Sequence, residues 1–370
     1  MAEITASMVK ELREKSGAGM MDCKKALNEC GGNMDEAMEF LRKNGQAKAE
    51  KKASRIAAEG VCRVACDGDT KAAVVEVNSE TDFVAKNEKF TTFVEQVAAQ
   101  AVKSSAKDLD ALMAEPFAAD PSKTVSEALV EMVAVIGEKL SIRRFERVEA
   151  ADGCVATYLH GGGRIGVIVK AKTATVNDAV KEALTNVAMQ VAAMNPEYLK
   201  ESDISDAEKA KMLEITVDSA LNDPASLPKP LLSKLIDQAI ADKKWSDADI
   251  AIYEEKKSNM NFLFNFLSKE AAAALAELAM SKKAEIVADK IFDGLVKGRI
   301  SKQEKEIVLM NQVYVRAEDG KQTVAQYLAQ VSKEVGTEVS VEGFVRYETG
   351  EGMEKKNEDF AAEVAAQMNA

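Results

Sequence analysis

Two stretches about 93 residues apart carry the same order of strand, turn, strand and helix, and a chain that duplicates such a unit has few architectures open to it. The first copy runs through "VCRVAC", a turn at Asp67-Gly68-Asp69 and "AAVVEV", where period-two patterning predicts a hairpin. Its helix follows with Phe90, Phe93, Val94, Val97, Ala98 and Ala101 at helical spacing. The second copy begins at "DGCVATYLH", turns through glycines and continues as "RIGVIVKA". It ends in a helix striped by Val180, Leu184, Val187, Ala188 and Val191. Even the helix ends agree, "QVAAQ" from Gln96 against "QVAAM" from Gln190. Hairpins followed by helices predict antiparallel sheets with helices packed on them, so the fold class is α+β with a duplicated, two-lobed core.

A chain of 370 residues has room for further domains around that core. At the N-terminus, Ile4, Met8 and Leu12 form a stripe that stops at Gly17. Asp22 is placed to cap a second helix carrying Ala26, Leu27 and Cys30, which Gly31 and Gly32 end. Asn33 with Glu36 resembles a capping pair for a third helix, ending at Gly45. So small a bundle suits a docking module better than a catalytic domain. "RKNGQAKAEKKASR", Arg42 to Arg55, sets six positive charges against Glu50, and without interleaved aromatics it reads as a solvated linker. Residues 200–304 look almost wholly helical, broken by Pro224, Pro228 and Pro230. Trp245 and "NFLFNFL" at 261–267 imply that this region packs on its own helices or on a second copy of the chain. Strand periodicity returns at "EIVLMNQVYV" and "GFVRYETG", and a last helix is striped by Phe360, Val364 and Met368. The expected domains are therefore a helical head with linker (1–55), a first lobe (56–148), a second lobe (149–199 with 305–345), an inserted helical arm (200–304) and a C-terminal module (346–370).

Composition excludes several functions. Acidic residues outnumber basic ones 61 to 49, and a net charge of −12 argues against a binder of phosphate backbones. Apolar runs are short and "MAEITASMVKELREK" carries charges where a signal peptide needs an apolar stretch, so a cytoplasmic protein without membrane anchor is expected. The five cysteines include no C-x-x-C. Cys62 and Cys66 on one strand would lie ~13 Å apart at ~3.3 Å per residue, too far to share a zinc ion.

Gly161, Gly163 and Gly166 satisfy G-x-G-x-x-G, but the residues that follow, "VIVKA", are a strand where a dinucleotide fingerprint must open a helix. Val167 and Ile168 occupy the positions where a phosphate-binding loop needs Lys and Ser or Thr. A hairpin turn accounts for the glycines. His160 is the single histidine, and no nucleophile motif or carboxylate pair lies near it in sequence. A structural histidine at a strand end is the plain reading, and the residues point to no enzyme, metal or cofactor.

One position resists a plain reading. In "EVNSETDFVAKNEKF", Phe83 falls on a small polar turn between strand and helix. Ser79 or Thr81 could cap a short helix with Phe83 as its first core residue, or Phe83 could project outward as an interface anchor. Pattern alone leaves both open.

"EVNSETDFVAK" resembles the most distinctive motif of the elongation factor Ts family, the bacterial guanine-nucleotide exchange factors for elongation factor Tu. "LREKSGAGMMDCKKAL", "IGEKLSIRR", "YLHGGGRIGVIV" and "GFVRYETGEGMEKKNEDFAAEVAA" are similar to the same family in the same order, leaving out only roughly residues 220–280, which lengthen the arm beyond the family form. The resemblance implies a ubiquitin-associated-like three-helix head, a two-lobed α+β core, a helical dimerisation arm of coiled-coil type and a C-terminal helix module. It implies that Phe83 and Asp82, with Thr81 and Val84 in the same turn, enter the GTPase domain of elongation factor Tu near its magnesium site. Ile136, Gly137 and His160 would line that contact. Arg13, Met20, Met21 and Lys24 would form the docking surface of the head, and Phe360, Val364 and Met368 would grip the same GTPase domain. Tyr314 and Val315 fall where the family meets the rest of its partner, in a segment that matches only loosely. A homodimer through the arm is a further expectation, with no direct nucleotide, nucleic-acid or membrane binding. The alternative is a non-exchanging adaptor whose head and arm bind other partners.

Overall fold

A computed structural model describes residues 4–354. The chain divides into two compact units, one formed by the sequence up to Asn195 and from Gln326 onward, the other by Pro196–Ala325. The fold is α+β, and among the described residues the paired strands are antiparallel, with one isolated parallel bridge between Tyr198 and Val308.

The first unit opens with three helices, α1 (Ala6–Ser16), α2 (Met20–Glu29) and α3 (Met34–Lys52). Thr5 caps α1 and Gly17 ends it at φ 66°. Asp22 does not cap α2: the helix starts one turn earlier at Gly19, leaving Asp22 in the first turn, where its charge suits the helix dipole. Asn33 caps α3, its side-chain oxygen accepting from the Asp35 and Glu36 amides while its own amide donates to Glu36. Leu12, Cys23, Ala26, Leu27 and Ala37 make the small core of this bundle. Gly45 does not end α3. The helix runs through it to Lys52, so most of the basic stretch is helix and not a free linker. A Cβ at Gly45 would stand 3.3 Å from that of Ala134, so the missing side chain serves close packing against a later helix. That packing offsets the ~1 kcal/mol that glycine costs in a helix.

Next come β1 (Glu59–Asp67) and β2 (Lys71–Ser79), paired as a hairpin, then the single turn α4 (Asp82–Ala85) and α5 (Glu88–Lys103). α6 (Leu109–Ala114), a small hairpin of β3 (Pro116–Phe117) and β4 (Asp120–Thr124), and α7 (Val125–Ile136) lead to β5 (Leu140–Glu149), which pairs with β2. The second copy follows as β6 (Gly153–His160), β7 (Ile165–Thr173) and α8 (Asp178–Met194).

The chain then forms the second unit: α9 (Asp206–Asn222), α10 (Lys229–Ala241), α11 (Asp247–Lys256), α12 (Lys269–Ser281), α13 (Lys283–Val287) and α14 (Lys290–Ile307). These are short helices around a shared core that includes Leu221, Leu232, Ile236, Trp245, Leu275 and Phe292. Trp245 packs within the unit, donating from Nε1 to the Ala271 carbonyl at 3.0 Å with Tyr253 edge-on to its ring. The unit also takes in residues 305–325, assigned from the sequence to the second lobe. The strand expected at "EIVLMNQVYV" is absent. α14 continues to Ile307 and a 3-10 turn covers Leu309–Asn311; Val308 and Val313 form only isolated bridges, to Tyr198 and Thr323, while Val308, Leu309, Gln312 and Tyr314 are buried.

α15 (Val324–Val335) and β8 (Val339–Glu348), the strand expected at "GFVRYETG", return the chain to the first unit, where β8 pairs with β7. Two three-stranded sheets result, ordered β1-β2-β5 and β6-β7-β8. Their likeness reaches fine detail. The β2–β5 register slips between Glu76 and Val77, and the β7–β8 register between Lys170 and Ala171. Gly60 and Gly153 start the two hairpins at equivalent places, where a Cβ would lie 2.2 Å and 2.0 Å from the carbonyl oxygens of Val77 and Ala171. Ala73, Val75 and Val77 face the helices of the first lobe, while Ala72 and Val74 face Val155, Ile168 and Tyr347 of the other sheet. β2 is thus buried on both faces, which is why "AAVVEV" is a nearly continuous apolar run.

Candidate functional site

β2 ends at Ser79 and the chain turns at once into α4, whose four residues are too few to hold a helix by their own hydrogen bonds. Neighbouring side chains do the holding. Thr81 caps the turn, its hydroxyl accepting from the Val84 amide at 3.4 Å, and Ser79 donates to the Thr81 carbonyl at 3.0 Å. Glu138, just past the end of α7, accepts from the Thr81 amide at 3.1 Å and from its hydroxyl at 2.8 Å. Glu80 reaches the other way, accepting from the Lys139 amide and from Arg55. Val84 and Ile136 both pack on the first-lobe core. Asp82 pairs with Lys86 at 2.8 Å, and the Lys86 ammonium holds its carboxyl below the ordinary carboxylate range.

On this fixed turn Phe83 points into solvent with 82% of its surface exposed. Of the two readings left open by its pattern, the core position is excluded. A large apolar ring held outward by a polar clasp leaves its desolvation free energy available to whatever covers it.

The other expected residues fall in several places. Gly137 ends α7 at φ 86°, a conformation that favours glycine, and its carbonyl accepts from Lys52 at the end of α3. Ile136 and Gly137 therefore stand next to the residue that clasps the Phe83 turn. His160 is exposed at the end of β6, its Nδ1 3.2 Å from the Tyr158 hydroxyl. The glycines after it, with positive φ at Gly161, Gly162 and Gly163, form the β6–β7 turn, the hairpin turn expected of them. Asp82, Ala85 and Lys86 line one cleft with Gly161, Gly162 and Arg164, so the Phe83 turn and the turn beyond His160 share a surface.

In the three-helix bundle, Met20 and Met21 are 58% and 75% exposed, and Arg13 and Lys24 are exposed beside them in sequence. Tyr314 and Val315 belong to the other unit, Tyr314 buried and Val315 exposed. Phe360, Val364 and Met368 lie outside the described residues. Sequence reasoning missed Glu80 and Glu138. Their only signals were a carboxylate inside the turn motif and another after a helix-ending glycine, neither of which reveals a partner about 57 residues away. Among the described residues no group of three or more His, Cys, Asp or Glu side chains could hold a metal ion, and no helix is long and apolar enough to cross a membrane.

The family model described as Elongation factor TS matches residues 80–351. The chain is 40% identical over 366 residues to an elongation factor Ts of Clostridium kluyveri, covering 99% of both chains. To the elongation factor Ts of Clostridioides difficile it is 40% identical over 369 residues, covering 100% of both, and to that of Clostridium novyi 39% identical over 367 residues. Full-length coverage takes in residues 220–280, so that segment is shared with these relatives and is no excess over their form.

Proposed function

The chain belongs to the elongation factor Ts family, and from that premise we propose that it binds the GDP-bound form of elongation factor Tu and speeds GDP release by inserting Phe83 beside the magnesium and phosphate contacts. The observation that carries this reading is the 82% exposure of Phe83 on a turn fixed by Thr81, Glu80 and Glu138. Asp82, Thr81 and Val84 accompany the ring, Ile136, Gly137 and His160 line the contact, and Arg13, Met20, Met21 and Lys24 dock the head.

The task requires no covalent chemistry from this chain. An exchange factor needs tighter binding to the nucleotide-free GTPase than to the GDP-bound one, and each ~1.4 kcal/mol of difference weakens nucleotide binding tenfold. By the same linkage the incoming nucleotide expels the factor. A buried aromatic anchor supplies ~2–4 kcal/mol at an interface, enough to shift that balance by one to three powers of ten.

Release of a fluorescent GDP analogue from elongation factor Tu tests the reading. Phe83→Ala is expected to lower the stimulated rate at least tenfold, about 1.4 kcal/mol. An undiminished rate would remove Phe83 from the mechanism. A complex that GDP fails to dissociate would instead favour an adaptor without exchange activity.

A further inference from the structure

Two short segments far apart in sequence exchange their carboxylates around the Phe83 turn. Glu138 takes both the amide and the hydroxyl of Thr81, at 3.1 Å and 2.8 Å, while Glu80 takes the amide of Lys139 and the guanidinium of Arg55, the latter at 3.2 Å. Lys139 in turn donates from Nζ to the Arg55 carbonyl at 2.8 Å, and Lys52 donates to the Gly137 carbonyl. The basic stretch that reads from the sequence as a solvated connector is thereby engaged at the clasp through two of its charges.

We propose that Glu138 and Glu80 are positioning residues that aim the Phe83 ring, and that Arg55 extends their clasp to the end of α3. The inference rests on the reading of Phe83 as the inserted group. A hydroxyl that donates to Glu138 has its lone pairs turned to the Val84 amide, so the Glu138 carboxylate sets the Thr81 cap, and the cap sets the direction of the one-turn helix. Charge-assisted bonds are the stronger kind and are directional. Without them α4 keeps only the packing of Val84 and Ala85 on the first-lobe core, and a single turn has no cooperative stability of its own. The ring would remain exposed but sample many directions, and the fraction of encounters in which it faces its pocket would fall. An aiming device of this sort acts on the rate within the bound complex more than on the docking of the rest of the surface.

The test uses the full-length chain with elongation factor Tu and a fluorescent GDP analogue, measuring the maximal release rate and the half-saturating factor concentration separately. Glu138→Ala is expected to lower the maximal rate about fivefold to tenfold, the effect of losing one charged hydrogen-bond pair partly replaced by water, with a smaller change in half-saturation. Glu138→Gln, which keeps an acceptor for the Thr81 amide, is expected to recover part of the loss. In a Phe83→Ala background Glu138→Ala should add almost nothing, because both changes act through one ring. Amide exchange at Val84 should quicken in Glu138→Ala while amides of α5 keep their protection, which separates loss of the clasp from loss of the fold. An unchanged maximal rate, or equal losses with and without the Phe83 ring, would overturn the positioning role. If Phe83→Ala alone has no effect, the reading beneath it fails, and that outcome is visible before any glutamate is changed.

Discussion

Replacing Glu76 by Gln removes a full charge from a buried polar knot in the first unit. Glu76 lies on the face of β2 turned toward the other sheet and has no solvent exposure. Its carboxylate accepts from the Gly350 amide at 2.8 Å, the Asn78 amide at 3.1 Å, Arg143 at 3.0 Å and Arg144 at 2.6 Å. Both arginines reach it because the register slip opposite Glu76 and Val77 lets neighbouring residues of β5 share one side of the sheet. Gly350 belongs to the turn after β8, so one carboxylate ties together the two sheets and the exit of the chain.

Breaking a buried ion pair costs about 3–5 kcal/mol. The arginine side chains retain 27% and 29% exposure, so water recovers part of the loss. Glu76→Gln is therefore expected to cost about 2–4 kcal/mol, or roughly 4–15 °C in midpoint for a unit of this size. Burial alone would raise the Glu76 carboxyl, but the Gly350, Asn78, Arg144 and Arg143 donors together outweigh it and hold it below its ordinary 4.5. A carboxylate depressed in the folded state stabilises fully above its unfolded value and loses that contribution as pH falls through its folded value. The gap between the parent chain and Glu76→Gln should accordingly be wide at pH 7 and shrink as pH drops below 4.5. Thermal denaturation of both proteins from pH 7 to pH 3 measures it. A gap of under about 0.5 kcal/mol at pH 7, within the range of an ordinary surface change, would refute the reasoning, as would a gap that does not depend on pH.

Other outcomes follow from the same geometry. Phe83→Ala should leave unfolding within about 0.5 kcal/mol of the parent, whereas Phe90→Ala, in the core seven residues later, should cost about 3–5 kcal/mol by chemical denaturation. Gly153→Ala forces a methyl to 2.0 Å from the Ala171 carbonyl and should destabilise by about 1–3 kcal/mol, and Gly60→Ala should cost more in the same assay because its φ of 128° adds backbone strain to the same clash. A maleimide at pH 8, followed by mass spectrometry, should modify exposed Cys66 first and Cys62 last, since burial pushes the Cys62 thiol up to about 11.

Much of the fold was legible because the duplicated hairpins and helices follow local periods that burial reinforces. β1, β2, β6, β7, α5 and α8 all lie where their patterns put them. What failed were elements whose reason is a distant neighbour. Gly45 looks like a helix terminator until Ala134 is set against it, and "EIVLMNQVYV" looks like a strand although a helix end and a 3-10 turn take up its first half and Val313 and Val315 stand exposed in its second. The direction of Phe83 was likewise undecidable from its own segment. The turn that carries it is bonded through Thr81 to Glu138, and no period or propensity links a carboxylate to a threonine so far along the chain.

The late arrival of β8 bears on how the protein is made. The first sheet can close once Glu149 has been synthesised, but β7 must wait with an unpaired edge from Thr173 until Val339 emerges. At the neck of the insertion, the Glu197 and Tyr198 amides donate to the Ile307 carbonyl at 2.8 Å and 3.1 Å, and the Leu309 amide donates to the Tyr198 carbonyl at 2.8 Å. Once those bonds form, the intervening helices no longer count as slack between the strands, and the closure cost falls by about 1 kcal/mol. An insertion that folds before β8 is made would thus shorten, by that modest amount, the search of the last strand for an edge that otherwise invites another nascent chain.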